Sequence, residues 1–262
     1  MTDEVSPAVD TLGSKDVDRG PAGNGREVVL EAKGLRREYG PVVAVGGVDL
    51  TMVEGEFLTI FGPNGAGKSS LLGMLGGGMR PTAGTVRVRG QALSFSEHDW
   101  QHRVGMLSHQ GFLYGRLTVE ENLRFYGTLF GIEDLEERLP ARLARVGLAD
   151  RARFEVRQLS HGMRQRLSLA RALLHDPDVV LLDEPYTGLD PSAAGVLRSV
   201  LGELRDGRRT VVMVTHNLRE GLAMATRLAV QVSGRFAWEG PNEGLGREEF
   251  ERHYHDVVEG RV

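Results

Sequence analysis

The chain has 262 residues, a formal net charge of −4, 40% hydrophobic residues and no cysteine. This composition suits one globular domain with a sizeable core, and the slight acidity argues against a nucleic-acid partner. Without cysteine, disulfides, thiolate metal sites and cysteine nucleophiles are excluded. No apolar run has the length of a membrane-spanning helix, so we expect any membrane role to come through a partner protein.

The two ends of the chain differ in composition from its middle. Residues 1–26 are rich in Asp, Gly, Pro and Ser and have no hydrophobic period, which predicts a disordered N-terminal tail. The acidic start lacks an apolar stretch, so we expect no secretory signal. Residues 241–262 are predicted to be a C-terminal extension with a short polar helix, in which His253 and His255 face solvent.

The segment between the two ends carries the strand patterns. VDLTMV alternates apolar and polar residues and predicts a half-exposed strand, which the Glu54-Gly55 turn leads into EFLTIFG. TVRVRG alternates again, and LAVQVSGRFAWEG predicts a hairpin about Ser233-Gly234. We interpret all of these as antiparallel strands. By contrast, VVLLD and TVVMVTH are continuous apolar runs, which are typical of parallel strands buried on both faces.

A helical region is predicted over about residues 111–174. In TVEENLRFYGTLFG, Thr118 is the expected N-cap, Glu121 completes a capping box, and Gly131 follows the helix end. Ser160 is expected to cap a second helix. The apolar stripe of that second helix consists of Met163, Leu167, Ala170 and Leu174.

The stretch GPNGAGKS, residues 62–69, matches the phosphate-binding pattern G-x-x-x-x-G-K-S in full. It lies between an apolar strand and a helix-like segment, so its backbone N–H groups can close around phosphates at a helix N-terminus. Lys68 is expected to reach the terminal phosphates and Ser69 to bind Mg²⁺, whereas a chance glycine-rich turn is much less favoured. The predicted nucleotide-binding residues of this loop are Gly62, Pro63, Asn64, Gly65, Ala66, Gly67, Lys68, Ser69 and Ser70.

Two further strands end in residues that suit phosphate hydrolysis. Asp183 follows VVLL at the end of a buried strand, where it can hold Mg²⁺, and Glu184 can accept a proton from an attacking water. An isolated Asp-Glu pair is usually a solvated surface, but its place after four apolar residues favours function. His216 ends TVVMVTH, where it can contact a γ-phosphate, although on its own it reads more readily as a neutral core histidine.

The turn LSHGM, residues 159–163, opens the second predicted helix. Its hydroxyl at Ser160 and backbone N–H at Gly162 could bind an anion, but the isolated pattern is an ordinary N-cap. GPNGAGKS, LSHGM, LLDEP, TGLD and VTH occur in this order, and together they resemble the ATP-binding subunit of ABC transporters over about residues 27–240.

This resemblance implies a role for each matching residue. Tyr39 is similar to the aromatic residue that stacks on adenine, and His216 to the switch histidine. The turn with Ser160 and Gly162 resembles the signature motif, which in this family grips the γ-phosphate of ATP bound to the opposite subunit. Asp190 resembles the D-loop residue at the dimer interface.

The sequence departs from the family pattern at two places. The signature usually reads L-S-G-G-Q, and here His161 and Met163 replace its first Gly and its Gln. Ser160 and Gly162 remain, so we expect the turn to keep its role. The Q-loop glutamine position falls on His109, with Gln110 one residue later, and the sequence leaves open which of them fills that role.

The expected fold is α/β: an ABC-type P-loop ATPase core with an antiparallel β subdomain and an inserted α-helical subdomain. The catalytic residues are expected to be Glu184, His216 and Lys68, the cofactors ATP and Mg²⁺, and the metal ligands Ser69 and Asp183. The expected partners are a second copy of the chain and integral membrane subunits, at the cytoplasmic face of the cell membrane.

Two other classes are less favoured. Soluble ABC ATPases of repair or translation usually carry tandem cassettes or long coiled-coil insertions, and a GTPase would carry an N-K-x-D motif; the sequence has none of these.

Two finer expectations concern transport. The stretch LSHQ followed by LTVEENLRFYGTLFG, and the stretch LSHGMRQRLSLARALLHDPDVVLLDEPYTGLD, resemble the heme-exporter ATPase of cytochrome c biogenesis, with a generic efflux exporter as the alternative. GFLYG is either part of a groove for a membrane subunit's cytoplasmic helix or ordinary core packing of Phe112 and Tyr114.

Overall fold

The structure is a computed structural model that describes residues 26–94, 99–108, 111–243 and 246–261. The predicted disordered tail, up to residue 25, lies outside this described part. The described strands are β1 (Val28–Tyr39), β2 (Val42–Val53), β3 (Phe57–Phe61), β4 (Ala83–Val88), β5 (Gln91–Ala92), β6 (Val104–Leu107), β7 (Val179–Asp183), β8 (Thr210–Val214), β9 (Arg227–Val232) and β10 (Arg235–Pro241). The described α-helices are α1 (Lys68–Leu75), α2 (Val119–Leu129), α3 (Leu135–Arg145), α4 (His161–Ala172), α5 (Pro191–Glu203), α6 (Leu218–Met224) and α7 (Arg247–Val258).

The strands form two sheets of different kinds. An antiparallel sheet has the order β2-β1-β4-β5, and a six-stranded sheet has the order β10-β9-β3-β8-β7-β6. In the second sheet β9, β3, β8, β7 and β6 run parallel, and only the edge strand β10 is antiparallel to its neighbour. This mixed α/β architecture confirms the predicted fold class.

One strand prediction was wrong. β3, predicted as the second arm of an antiparallel pair, lies parallel between β8 and β9 in the larger sheet. All five of its residues are buried, as expected for a strand covered on both faces. The Glu54-Gly55 turn therefore joins two sheets and does not close a hairpin. The hairpin about Ser233-Gly234 is confirmed, and both turn residues have positive φ, as a two-residue hairpin turn requires.

The hydrophobic core lies on both faces of the six-stranded sheet. On one face, α1 packs between this sheet and the antiparallel sheet, where Leu71, Leu72 and Leu75 are fully buried. The other face is covered by side chains of α2 to α5. Each fully buried leucine contributes roughly 1.5–3 kcal/mol of hydrophobic stabilisation, so α1 and the loop before it are held firmly against the sheet.

The helical region follows the predicted signals. Thr118 and Glu121 form the capping box of α2, and Ser160 accepts a hydrogen bond from the backbone N–H of Met163 at the start of α4. Leu167, Ala170 and Leu174 are buried, as the stripe on α4 predicts. These caps fix where each helix begins and therefore where the turn before α4 lies.

The C-terminal helix differs from its prediction. α7 is a helix, but one of its faces is apolar: Phe250 is fully buried and its ring lies 5.2 Å from that of Phe61 on β3. His253, predicted to face solvent, is only 9% exposed and lies 4.8 Å from the ring of Trp238. The buried residues of α7 recur at helical spacing and form one stripe in a mostly polar sequence: Phe250, His253 and Val257.

Candidate functional site

The candidate site lies at the carboxyl end of the parallel sheet. β3, β8 and β7 are neighbours in the sheet, so the three segments that follow them emerge at the same edge. These segments are the phosphate-binding pattern after β3, the Asp-Glu pair at the end of β7, and Thr215-His216 after β8. Ligands of open α/β sheets bind at this edge.

The loop of residues 62–67 depends on glycine at two positions. Gly67, the N-cap of α1, has φ 93°, and a Cβ there would collide with the carbonyl oxygen of Ala44. Gly62 has φ 157°, and a Cβ there would collide with the carbonyl oxygen of Gln231. The loop is therefore packed against β2 and β9 in a conformation that only glycine permits at these points.

Lys68 is held inside this loop. Its Nζ donates to the carbonyl oxygens of Gly62 at 2.8 Å and Pro63 at 2.9 Å, and the residue is only 8% exposed. Burial lowers the pKa of Lys68 below its ordinary value, while the carboxylates of Glu184 and Asp183 act in the opposite direction. The loop thus orients a buried ammonium group near two carboxylates.

Ser69 and Asp183 bring two oxygen atoms together. The hydroxyl of Ser69 donates to Oδ1 of Asp183 at 3.1 Å, which links the first turn of α1 to the end of β7. A hydroxyl and a carboxylate oxygen are donors that Mg²⁺ accepts when phosphate oxygens and water complete its octahedron. No cluster of three or more His, Cys, Asp or Glu side chains able to hold a metal ion occurs within residues 26–94, 99–108, 111–243 and 246–261; a nucleotide-bound Mg²⁺ does not need one.

Glu184 has an unusual backbone and a well-defined carboxylate. Its φ is 48°, which is uncommon for a residue other than glycine and occurs at functional sites. Its Oε2 accepts hydrogen bonds from the hydroxyls of Thr215 at 3.1 Å and Thr187 at 3.4 Å. Its Oε1 lies 2.9 Å from Nδ1 of His216. These three groups fix the direction of the carboxylate.

His216 is not a core histidine in the structure. Its side chain is 64% exposed, and Nδ1 faces Glu184. With Nδ1 held by Glu184, the exposed ring can offer its other nitrogen to a ligand. The arrangement suits a contact with a ligand at this edge better than a packing role.

The turn before α4 packs on a different part of its own chain. A Cβ on the buried Gly162 would lie 3.0 Å from Cβ of Ala193 and 3.6 Å from Leu189, so this turn rests against the start of α5. Asp190 is the N-cap of α5 and accepts from the N–H of Ala193 at 2.8 Å. Within the described residues, no hydrogen bond or ion pair joins Ser160, Gly162 or Asp190 to the loop of residues 62–70.

Tyr39 lies at the end of β1 and is 45% exposed. The guanidinium of Arg37 lies 4.6 Å from the ring centroid, and the Tyr39 hydroxyl donates to the sulfur of Met79 at 3.1 Å. These contacts hold the ring in place while a large part of it stays accessible for stacking. His109 and Gln110, the two candidates for the Q-loop position, lie outside the described residues.

The structure adds three site residues that the sequence patterns did not single out. The hydroxyls of Thr187 and Thr215 donate to Glu184. In the sequence, these threonines could have been found only through the TGLD and VTH motifs to which they belong. Gln231 on β9 is fully buried beside Gly62 and Gly67, and neither side-chain amide atom has a hydrogen-bond partner in the described part of the chain. No sequence signal pointed to Gln231.

An exposed apolar patch lies on the helical region, formed by Phe112, Tyr114, Phe125 and Leu129. Phe112 and Tyr114 are each 48% exposed, so these two residues are not packed in the core. The rings of Tyr114 and Phe125 pack edge to face at 4.8 Å. Among the described residues, no helix is both long enough and apolar enough to span a bilayer.

Comparisons with known proteins agree on one family. Residues 45–187 match the family described as ABC transporter. Nod factor export ATP-binding protein I of Ralstonia nicotianae is 37% identical over 229 residues, which cover 86% of this chain and 71% of that protein. ABC transporter ATP-binding protein NatA of Bacillus subtilis is 34% identical over 207 residues, which cover 78% of this chain and 84% of that protein.

Solved structures agree with the sequence relatives. An ATP-binding subunit of an ABC transporter superposes with a TM-score of 0.79 at 26% identity, covering 87% of this chain and 99% of that chain. The dimeric bacterial ABC transporter cassette MJ0796 superposes with a TM-score of 0.74 at 29% identity, covering 82% of this chain and 100% of that chain.

Proposed function

Because the chain belongs to the ABC transporter family, as an ATP-binding subunit, we propose that it hydrolyses ATP at the carboxyl edge of its parallel sheet and powers an exporter. The observation that carries the proposal is the convergence of three segments at that edge: the loop around Lys68, the Ser69–Asp183 pair, and the Glu184 carboxylate held by Thr215 and Thr187. Each of these groups suits one part of phosphoryl transfer to water.

Nucleotide binding falls to the loop and to Tyr39. The backbone N–H groups that the loop offers and the N-terminus of α1 face the phosphates, and the Lys68 ammonium neutralises the charge of the terminal phosphate. Its two bonds to loop carbonyls support this role, because they hold the ammonium at the loop centre. The accessible ring of Tyr39 stacks on adenine.

Ser69 and Asp183 hold Mg²⁺ with the nucleotide. Their oxygens, linked at 3.1 Å, fit a hard cation that takes the rest of its ligands from phosphate and water. When bound, Mg²⁺ neutralises charge that develops on the phosphate oxygens. Asp183 keeps its carboxylate at the strand end, and Ser69 presents its hydroxyl from the first turn of α1.

Glu184 is the base that takes a proton from the attacking water. Its Oε2 is occupied by two hydroxyl donors, and Oε1 faces His216. We assign the proton to Oε1, which has one neighbouring group where Oε2 has two hydroxyl donors, and the γ-phosphate contact to the second ring nitrogen of His216. Lys68 completes the catalytic set.

A second copy of the chain completes the site. Within the described residues, Ser160 and Gly162 form no hydrogen bond or ion pair with the chain's own phosphate loop, which supports a role toward the nucleotide of a neighbouring subunit. Asp190 caps α5 beside this turn and lies at the same interface. The dimeric state of the MJ0796 cassette also supports this arrangement. His109 or Gln110 fills the Q-loop position, and no nucleic acid takes part.

Integral membrane subunits are the other partners. The exposed patch of Phe112, Tyr114, Phe125 and Leu129 supports a docking role for the helical region, since exposed apolar groups of this kind commonly mark interaction sites. The subunit then works at the cytoplasmic face of the cell membrane. The ATP-binding domain of this subunit comprises residues 27–240 and includes the helical subdomain at about 111–174. Residues 241–262 form an extension.

The transported compound is selected in the membrane subunits, so this chain is compatible with two kinds of exporter. The printed name of one relative, Nod factor export ATP-binding protein I, supports the generic efflux exporter. The resemblance of LTVEENLRFYGTLFG and LSHGMRQRLSLARALLHDPDVVLLDEPYTGLD to heme-exporter ATPases favours heme handling for c-type cytochromes. Neither candidate requires this chain to bind heme, and no C-x-x-C-H motif is possible without cysteine.

A host strain that carries Lys68→Ala tests the function and separates the candidates. Lys33→Ala is the matched control, because Lys33 is an exposed lysine that pairs only with Glu31 among the described ion pairs. If the chain serves heme handling, Lys68→Ala abolishes the covalent heme stain of c-type cytochromes while b-type heme proteins still form. Unchanged c-type bands exclude heme handling, and drug sensitivities in the same strain then test efflux. Normal ATPase activity of purified Lys68→Ala protein would contradict the whole proposal.

A further inference from the structure

His161 links the turn before α4 to the segment that follows the catalytic edge. Its Nε2 lies 3.1 Å from the carbonyl oxygen of Thr187. The ring also lies over Gly188, where a Cβ would come within 3.2 Å of two ring atoms. Because a carbonyl oxygen can only accept, the Nε2 of His161 carries the hydrogen in this contact.

Thr187 continues the link to Glu184. Its hydroxyl donates to Oε2 of Glu184 at 3.4 Å, and its backbone N–H donates to the carbonyl oxygen of Glu184 at 3.2 Å. One residue therefore touches His161 with its carbonyl group and Glu184 with its side chain and N–H. A shift of the His161 ring would be passed to the carboxylate through a single residue.

Two further contacts join the same two segments. The amide of Gln165 donates to the carbonyl oxygen of Pro185 at 3.2 Å. Gly162 packs on Leu189 and Ala193. Residues 161–165, at the end of the turn and the start of α4, are thus tied to residues 184–193 at three points, and the contact of His161 ends on Thr187, whose hydroxyl donates to Glu184.

We propose that His161 is a positioning residue that couples the turn of residues 159–163 to Glu184 of its own chain. This inference rests on the proposed function, in which that turn serves the nucleotide of the neighbouring subunit and Glu184 serves the chain's own nucleotide. His161 then makes the orientation of the base at one ATP site depend on whether the turn is engaged at the other site. The imidazole ring of His161 is then one path by which the two sites of the dimer communicate.

Single variants give the first readout. His161→Ala removes the ring and should lower the kcat of ATP hydrolysis about 2- to 10-fold, the range expected for one hydrogen bond, with the KM for ATP unchanged. His161→Gln restores a donor of similar reach and should recover most of that loss. His255→Ala, which removes an exposed imidazole on α7, is the matched control. A changed KM, or failure of His161→Gln to recover activity, would contradict the positioning role.

A fused dimer allows a substitution to be placed on either one of the two copies of the chain. Two full-length chains are joined by a flexible Gly-Ser linker, and one copy carries Glu184→Gln, so that only the other copy has its base. His161→Ala is then added either to the copy that keeps Glu184 or to the copy that has lost it. Coupling within a chain predicts the 2- to 10-fold loss only when His161→Ala is on the copy that keeps Glu184. Loss only in the opposite placement would show that His161 acts on the neighbour's nucleotide, and equal loss in both would show general damage; either result overturns the proposal.

Failure of the proposed function would look different. It would appear in the parent fusion as an absence of ATP hydrolysis, before any His161 substitution is compared. Failure of the coupling leaves the parent fusion active and changes only which placement loses rate. A second set with Thr187→Val tests the path, since the effects of His161→Ala and Thr187→Val should be non-additive when both act through the same carboxylate. Additive effects would place His161 outside this path.

Discussion

Replacing Glu184 by Gln is the change that tests the assignment of the catalytic base most directly. The substitution keeps the shape of the side chain, and its oxygen can still accept from the Thr215 and Thr187 hydroxyls. Only the Oε1 position toward His216 changes from a carboxylate oxygen to an amide. That contact is partly exposed, so the free energy of unfolding should change by less than about 1 kcal/mol.

The expected loss lies in the rate. Removing a general base usually lowers turnover about 10²- to 10⁴-fold, which corresponds to about 3 to 5 kcal/mol of transition-state stabilisation. The affinity for ATP should persist, because Lys68, Ser69 and Asp183 keep their contacts. The variant should therefore bind ATP, form a long-lived dimer and fail to turn it over.

Steady-state phosphate release, measured with the membrane partner present, and light scattering with ATP together check this expectation. Glu203→Gln is the matched control, because Glu203 is an exposed glutamate on α5 paired with Arg145. It makes the same chemical change away from the site and should leave kcat unaltered. Near-normal phosphate release by Glu184→Gln would refute the assignment of the base and the role inferred for its three contacts.

Tyr39→Ala should raise the Kd for ATP roughly tenfold by removing a stacking surface, whereas Tyr39→Phe keeps the ring and should stay close to wild type; equal Kd values in equilibrium titrations would contradict the adenine contact. Gly162→Ala should lower the free energy of unfolding by about 1–3 kcal/mol, because the added methyl group meets Ala193 at 3.0 Å. Gly195→Ala in α5, which has open space around it, should instead raise the free energy of unfolding by about 0.5–1 kcal/mol. Thermal melts in which both variants shift the melting temperature in the same direction would refute this packing. Burial lowers the pKa of His175 to about 4, so between that pH and the ordinary pKa of histidine the unfolded chain binds one proton that the folded chain does not. The free energy of unfolding should therefore fall by about 2 kcal/mol from about pH 7.5 to about pH 5. In urea unfolding, His175→Gln should show a free energy of unfolding that depends less on pH.

Local patterns were enough wherever the chemistry is carried by neighbours in sequence. The capping signals at Thr118 and Ser160 lie where the helices begin, because a cap needs only the side chain and the next turn of backbone. The Lys68 loop and the Asp183-Glu184 pair were predicted in the same way, from short motifs that follow apolar runs. Parallel strands with both faces buried were visible as continuous apolar runs in VVLLD and TVVMVTH.

Periodicity was insufficient where a residue's surroundings come from distant parts of the chain. The strand direction of EFLTIFG was predicted wrongly, because a short apolar run does not show which strands it pairs with. Its neighbours β8 and β9 lie more than 140 residues away in the sequence. The apolar face of α7 was missed for a related reason: a few apolar positions in a polar helix become a packed stripe only when a surface such as Phe61 lies opposite.

By itself, then, the sequence determined the glycine-rich loop before α1, the place of the Asp-Glu pair at the end of a buried strand, the helix caps and the order in which they occur, since each depends on residues a few positions apart. Tertiary structure alone decided the positive φ of Glu184, the hydroxyl donors that orient its carboxylate, and the contact of His161 with Thr187. Those contacts join residues that meet only because β3, β8 and β7 pair in parallel and because α4 packs beside α5. Strand order and helix packing are set by the burial of apolar surface over the whole chain, and no local pattern records the result.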